Sequence, residues 1–260
     1  MFKNPLQIIK IIACTCVILT FILIAYLGKL LTWNKQLRRS FYVHNTTFFC
    51  RMLLKVMGIK LSIKNPENLN LDKNYLILSN HMSYLDGLLL SALTPLCFVT
   101  SIEMKNTFFL GLLTELGGCL YVERRSRDKL GEEIGEISHA LDTGFSVVVF
   151  PEATSTNGSA ILPFKRSLLK SAIDTGKPIL PLCINYEKID GEAVNTKSRN
   201  MLCWYGEMTF VPHFFSMMWP TEIEISITVQ PEIPVCKDST RDVLIEKAYE
   251  AITKDYKKII

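Results

Sequence analysis

The sequence predicts a layered α/β fold with a mixed, largely parallel sheet, preceded by N-terminal helices. Two observations support this prediction. Short apolar runs of strand length alternate with helical patterns from about residue 59 onward, and residues 11–28 contain no charged side chain. Alternating strands and helices are typical of folds in which helices cover a mostly parallel sheet. We therefore divide the 260 residues into N-terminal membrane-anchoring helices, 1–57, and one further domain, 58–260.

The charge-free segment 11–28 is long enough to be a membrane helix. Its length as a helix is about 27 Å, close to a bilayer core of about 30 Å. Lys3 and Lys10 precede it, and a larger group of cations follows it, comprising Lys29, Lys35, Arg38 and Arg39. This bias favours a membrane location with the rest of the chain on the cytoplasmic face. Spanning the membrane and entering one leaflet remain alternatives.

Residues 33–57 interleave aromatic and aliphatic side chains with lysine and arginine. That composition predicts a helix lying at a membrane interface, with its cations near anionic headgroups. The alternative is an ordinary amphipathic helix that packs on its own domain.

Seven strand candidates follow in the second domain, near residues 59–64, 73–79, 97–101, 118–122, 145–150, 178–185 and 222–229. The clearest helix between them covers 128–142, where four residues mark one apolar face: Leu130, Ile134, Ile137 and Leu141. A last helix over 239–259 begins with Ser239 and has Asp242 at the spacing of a capping box.

Composition and motifs exclude several classes. The eight cysteines are scattered without zinc-ligand spacing, so we expect neither a disulfide framework nor a metal site. The sequence contains no phosphate-binding Walker loop and no G-x-S-x-G elbow, which argues against nucleotide-driven enzymes and α/β-hydrolases.

The segment Asn80-His81-Met82-Ser83-Tyr84-Leu85-Asp86 places a histidine and an aspartate five residues apart, directly after an apolar run. Histidine can take up a proton near neutral pH, and a carboxylate can hold its ring in one tautomer. On a regular helix the two side chains would point about 140° apart. We expect a loop turning into a helix near Ser83 to bring them together.

Three further segments carry charge or proline at strand ends. Glu152 follows the apolar run 145–149, where open α/β sheets bind ligands. Lys165 and Arg166 lie shortly after that loop, Arg124 follows the short strand at 118–122, and Pro181 lies inside the run 178–182.

Taken in chain order, the four segments resemble the glycerolipid acyltransferases, the family of 1-acyl-sn-glycerol-3-phosphate acyltransferase. The similarity covers roughly residues 70–185. The first block, N-H-x-S-x-x-D, and the third, F-P-E-G-T-R, are the specific ones. The matching residues are Asn80, His81, Ser83 and Asp86 in the first block, Gly118, Glu123 and Arg124 in the second, Phe150, Pro151, Glu152 and Thr154 in the third, and Pro181 in the fourth.

The resemblance implies a glycerolipid-acyltransferase-type domain that transfers an acyl group from a thioester to a lipid hydroxyl. His81 would be the general base and Asp86 its orienting partner. The remaining site residues would bind substrate: Asn80, Ser83, Arg124, Glu152, Thr154, Ser155 and Lys165. Acyl-CoA or acyl-acyl carrier protein would be the co-substrate, with no other cofactor. The expected partners are membrane lipids and the acyl carrier, not nucleic acid.

The chain departs from the family pattern at two positions in the third block. Ala153 replaces a glycine, so we expect that this position needs no positive φ. Ser155 stands where phosphatidate-forming members have an arginine thought to hold the acceptor's phosphate. With the segments at 203–208 and 212–214, this pattern looks like the lyso-ornithine-lipid and lysophospholipid acyltransferase branches.

The alternatives concern the acceptor and the class. The first candidate acceptor is 1-acyl-sn-glycerol-3-phosphate, and the alternative is a lyso-ornithine lipid or another lysophospholipid. An alternative from another class is a membrane lipid-binding protein without turnover.

Overall fold

The structure is a computed structural model that describes residues 5–123 and 128–260. Its described strands form one eight-stranded sheet, made of β1 Ile59–Lys64, β2 Leu76–Ser79, β3 Leu96–Ser101, β4 Leu120–Val122, β5 Ser146–Val149, β6 Ile179–Ile189, β7 Glu192–Ala193 and β8 Ile223–Val229. The described helices are α1 Pro5–Leu31, α2 Lys35–Met57, α3 Tyr84–Leu93, α4 Ile102–Lys105, α5 Phe108–Leu116, α6 Leu130–Asp142, α7 Lys170–Thr175, α8 Phe210–Ser216 and α9 Arg241–Asp255.

The sheet is mixed and largely parallel, as predicted. Its strand order is β1-β8-β6-β2-β5-β3-β4, and the five strands from β6 to β4 run parallel to one another. Strand β8 is antiparallel to β6, and β1 is parallel to β8. All seven predicted strands are present. Strand β7 was not predicted, because its two exposed residues form the end of a hairpin with β6 and carry no apolar pattern.

The central strands are apolar throughout because helices cover both faces of the sheet. Successive side chains of a strand point to opposite faces. On β2, Ile77 joins the hydrophobic cluster that includes α2 and α3, whereas Leu76 and Leu78 join the cluster with α6 and α9. A continuous apolar run is therefore what a strand buried on both faces requires.

The N-terminal helices α1 and α2 pack side by side. Among the described residues, α1 is the one helix long and apolar enough to cross a membrane. It buries a stripe at every third or fourth position, namely Cys14, Val17, Phe21, Ala25 and Gly28. A Cβ atom at Gly28 would overlap the ring of Phe41, so a larger residue there would displace this ring of α2.

Helix α2 differs from the interfacial helix that its composition predicts. Tyr42, Phe49 and Leu54 are buried in the same cluster as the sheet. The Arg51 guanidinium donates to the carbonyls of Ala92 and Leu93, at the C-terminal end of α3. Cations favour helix C-termini, where carbonyls lack partners. The alternative of a helix packed on its own domain therefore describes the buried side of α2, whereas contact of its exposed side with a membrane stays a prediction.

Candidate active site

The site lies at the edge of the sheet where the parallel strands end. Strand β2 ends at Ser79, which pairs with Leu182 of β6, and β6 then extends beyond β2 to Ile189, still paired with β8 on its other side. The loop after β2 therefore lies between the loop after β5 and the overhanging part of β6.

Asn80 fastens the loop after β2 to this overhang. Its side-chain Nδ2 donates to the carbonyl of Ile184 at 2.9 Å, and its Oδ1 accepts from the Ile184 N–H at 2.8 Å. The amide thus replaces the backbone pairing that β2 would make if it were longer. Asn80 is buried, and its amide holds the loop in place. Direct contact with substrate stays a prediction for this residue.

His81 and Asp86 are in contact. The Nδ1 atom of His81 lies 2.9 Å from Oδ2 of Asp86. The same oxygen accepts from the backbone N–H groups of Met82 at 2.6 Å and Ser83 at 2.8 Å. These bonds arise because Ser83 is the N-cap of α3 and Asp86 completes its capping box. Loop and helix start together produce the contact, as the sequence predicted.

The contact assigns different atoms of the imidazole to different tasks. Asp86 is completely buried, whereas the His81 side chain is 21% exposed. A proton on Nδ1 directed at the carboxylate leaves the lone pair on Nε2, the atom that can accept a proton from a substrate. The ring also stacks on Phe150 with centroids 4.0 Å apart, which restricts its orientation. Ser83 is fully buried, so its hydroxyl supports the helix start.

Glu152 uses both carboxylate oxygens on the backbone. Oε1 accepts from the N–H of His81 at 2.8 Å, and Oε2 accepts from the N–H of Leu162 at 2.7 Å. Glu152 is only 4% exposed. Burial raises its pKa to about 7, and the two backbone donors oppose that rise. We expect its effect on acceptor binding to act through the loops that it holds.

The remaining predicted site residues lie around this centre. The loop after β5 contacts the His81 loop through the Thr156 N–H, which donates to the His81 carbonyl at 2.9 Å. Thr154 is exposed, Ser155 is half-buried, and Lys165 is exposed. Arg124 lies outside the described residues. The substrate-binding roles of these four residues stay predictions.

The expectation for Ala153 is wrong. Its φ is +58°, in the left-handed region. A side chain with a Cβ atom is strained there, whereas glycine is not. The position therefore has the conformation that the family's glycine suits, and this chain adopts it with an alanine.

Two tyrosines lie at the site that the sequence motifs do not predict. The Tyr186 hydroxyl, on β6, donates to Oδ1 of Asp86 at 2.6 Å. The Tyr256 hydroxyl donates to the carbonyl of Gly158 at 2.7 Å, so the segment after α9 closes against the loop after β5. Tyr186 lies two residues beyond Ile184 on β6, so both side chains point to the same face of the sheet. This spacing is the one feature of the sequence that could have indicated Tyr186.

His213 is the second histidine in this part of the structure. Its Nε2 lies 3.1 Å from the carbonyl of Cys203, and its Nδ1 lies 3.0 Å from the hydroxyl of Tyr84. Burial lowers its pKa to about 4, so the ring is neutral at physiological pH. Within the described ranges, no three His, Cys, Asp or Glu side chains are grouped in a way that could hold a metal ion.

A histidine–aspartate pair at the carboxyl edge of a mixed α/β sheet defines a candidate acyl-transfer centre, and comparison with known proteins agrees with that class. A family model described as "Acyltransferase" matches residues 60–185. The chain is 26% identical over 204 residues to a lyso-ornithine lipid O-acyltransferase of Brucella abortus, covering 76% of each protein. It is 32% identical over 130 residues to a 1-acyl-sn-glycerol-3-phosphate acyltransferase of Neisseria gonorrhoeae, covering 50% of each.

The fold is also similar to a solved structure. The crystal structure of the 1-acyl-sn-glycerophosphate acyltransferase PlsC from Thermotoga maritima matches with a TM-score of 0.67 at 16% identity, covering 95% of this chain and 93% of that one. Residues 60–185, just under half of the chain, thus match the acyltransferase family model, and both relatives named above are acyltransferases that act on lipids. These relatives give no support to a lipid-binding protein without turnover.

Proposed function

We propose that this protein is a membrane-attached O-acyltransferase that moves a fatty acyl group from a thioester to the free hydroxyl of a lysolipid. The observation that carries the proposal is the 2.9 Å contact between His81 and Asp86 beside the loop after β5. An alcohol is a weak nucleophile until a base takes its proton, and an oriented imidazole is such a base.

The proposed reaction needs no acyl-enzyme. Nε2 of His81 takes the hydroxyl proton while the lipid oxygen attacks the thioester carbonyl. The tetrahedral intermediate collapses, the C–S bond breaks, and the thiolate takes the proton from the imidazolium. Asp86 stabilises the imidazolium while it exists. Burial raises the pKa of the nearby Cys203 thiol to about 12, so this cysteine stays protonated and is a poor nucleophile.

The acceptor is proposed to be a lysolipid, with 1-acyl-sn-glycerol-3-phosphate as the first candidate. Lys165 and Arg124 are the candidate cations for its phosphate. A lyso-ornithine lipid is the second candidate for two reasons. Ser155 provides a neutral hydroxyl where an arginine would bind a phosphate, and the match to the lyso-ornithine lipid enzyme is longer than the match to the Neisseria enzyme. We infer an acceptor range that includes lysophosphatidate without selecting it tightly.

Membrane attachment is proposed to occur through the exposed apolar face of α1, at Ile9, Ile12, Leu19 and Leu23. Both ends of this helix contact the catalytic domain. Near the start, the Lys10 ammonium donates to the carbonyl of Pro220 at 2.6 Å, and near the end Lys29 pairs with Glu115 at 3.3 Å. A helix held in this way supports insertion into one leaflet rather than an independent span. The cations that flank α1 support the cytoplasmic face, because the anionic lipids of that leaflet attract lysine and arginine.

The test is acyl transfer by the purified protein in detergent–lipid micelles. Labelled acyl-CoA and acyl-acyl carrier protein are offered in parallel with a panel of lysolipids. The expected result is an ester product with at least one lysolipid, and His81→Ala should lower turnover by roughly 10²–10⁴. Replacing the exposed His44 by alanine is the matched control and should change little. Near wild-type transfer by His81→Ala would show that the assigned base is wrong.

A further inference from the structure

Asp86 is held from two sides, and one of them lies far along the chain. Its Oδ2 faces the loop after β2, where it accepts from His81, Met82 and Ser83. Its Oδ1 faces β6, where the Tyr186 hydroxyl lies at 2.6 Å. A buried carboxylate needs donors for both oxygens, since an unpaired charge away from water is costly.

The position of Tyr186 follows from the overhang of β6. Side chains alternate along a strand, so Leu182, Ile184 and Tyr186 point to the same face. All three belong to the hydrophobic cluster that also contains Met82 and Leu85 of the adjoining segment. Asn80 fixes the register between the His81 loop and the overhang through Ile184. The tyrosine two residues further on therefore reaches the carboxylate.

We propose that Tyr186 is a positioning residue for the acyl transfer, holding the Asp86 carboxylate in the plane and charge state that directs His81 Nε2 at the substrate hydroxyl. This inference rests on the proposed function. Tyr186 is 5% exposed and lies behind Asp86, so it acts through the carboxylate and not on the substrate.

The hydroxyl is a lasting donor in this environment. Burial raises the pKa of Tyr186 well above its ordinary value, and the Asp86 charge raises it further. The Asp86 charge also raises the pKa of three other described side chains from elsewhere in the fold: Glu152, Cys203 and Tyr256. Of these groups, Tyr186 and His81 are the ones that hydrogen-bond to the carboxylate.

Tyr186→Phe removes the hydroxyl and keeps the ring that fills the core. Without this donor, the Asp86 carboxylate carries more negative charge. The proton between Asp86 and His81 should therefore be lost only at higher pH. We expect kcat to fall by about tenfold, with less than a twofold change in the KM for the acceptor. The acid limb of the pH profile of kcat/KM should move to higher pH by about half a pH unit or more. A merely structural role would leave that limb in place.

Tyr75→Phe is the matched control. Tyr75 is also buried in the same cluster, and its hydroxyl is not among the groups that hydrogen-bond to Asp86. The control should leave kcat and the pH profile unchanged. A Tyr186→Phe variant that matches Tyr75→Phe in both, while His81→Ala remains inactive, would overturn the inference and leave the proposed function intact.

A readout independent of turnover covers the case in which no tested lysolipid is a substrate. Protein labelled with ¹³C-histidine is titrated by NMR in micelles, and the His81 signal is assigned from its loss in His81→Gln. The midpoint of that signal should move to higher pH in Tyr186→Phe and stay in place in Tyr75→Phe. Identical midpoints in Tyr186→Phe and the wild-type protein would refute the role of Tyr186, whatever the substrate.

Discussion

Two residues in the loop after β5 depart from the acyltransferase motif in different ways. Ala153 has a backbone conformation that suits glycine, at a φ of +58°. Ser155, two residues later, has a neutral side chain that is half-buried. One substitution affects the free energy of folding and the other the charge offered to an acceptor, so they require different measurements.

Ser155→Arg should shift acceptor preference towards lysophosphatidate. Arginine pairs two phosphate oxygens at once, whereas a serine hydroxyl donates one hydrogen bond. We expect kcat/KM for lysophosphatidate, relative to a lysolipid without a phosphate monoester, to rise about tenfold, equivalent to about 1.4 kcal/mol. Ser159→Arg adds the same charge at an exposed position of the same loop and is the control. The selectivity argument fails if the wild-type enzyme already prefers lysophosphatidate several hundredfold and Ser155→Arg changes nothing.

Ala153→Gly should stabilise the fold. With alanine, the left-handed conformation destabilises the folded protein by about 1–2 kcal/mol. Glycine removes this strain, but its greater backbone freedom also stabilises the unfolded chain by about 0.5–1 kcal/mol. The net gain in unfolding free energy should be about 0.5–1 kcal/mol, measured by chemical denaturation in micelles. Ala160→Gly is the control, because Ala160 is not among the described residues with positive φ and should lose stability. Equal losses in both variants would contradict the strain at Ala153.

Whole elements show where local sequence is sufficient and where it is not. Strands β2 and β5 were predictable because burial on both faces demands an unbroken apolar run. The contact of His81 with Asp86 was predictable because a capping box is local. The packing of α2 was not predictable, because the same mixture of cations and apolar residues suits both a lipid surface and a protein core. The contact of Tyr186 with Asp86 was not predictable either, because it depends on the register of β6 against β2.

The placement of α1 predicts the topology of the N-terminus. Lys10 and Lys29 fix both ends of the helix to one domain, so both ends should lie on the same side of the membrane. An epitope placed before residue 5 and another after residue 260 should be equally sensitive to protease on sealed vesicles. A soluble lumenal marker is the control for sealing. Protection of the N-terminal epitope alone would show that α1 spans the bilayer.

The stability of the whole molecule should depend on one buried carboxyl. Burial raises the pKa of Glu152 from 4.5 to about 7, so the folded protein binds this proton more tightly than the unfolded chain. The stability that the proton contributes is fully present below about pH 4.5 and is lost as pH rises through about 7. The difference between the two pKa values corresponds to about 3 kcal/mol of unfolding free energy.

Glu152→Gln should flatten this dependence, because the amide does not titrate. The measurement is the free energy of unfolding at intervals between pH 4.5 and 8, with Glu192→Gln on exposed β7 as the control. If Glu152→Gln keeps the wild-type slope, the pH dependence arises elsewhere.

The hydrogen bond from Lys10 to Pro220 can form only late in biosynthesis, after nearly the whole chain has been made. The two residues are 210 positions apart, and at about 5–20 residues per second the ribosome needs roughly 10–40 s to make the intervening chain. Strand β1 similarly cannot pair before β8 has been made, because β8 is its one pairing partner among the described strands. During that interval α1 emerges without the surface on which it later packs. Early insertion into the lipid would shelter its apolar side chains until the last strand arrives, so delivery of the nascent chain to the membrane should precede folding of the catalytic domain.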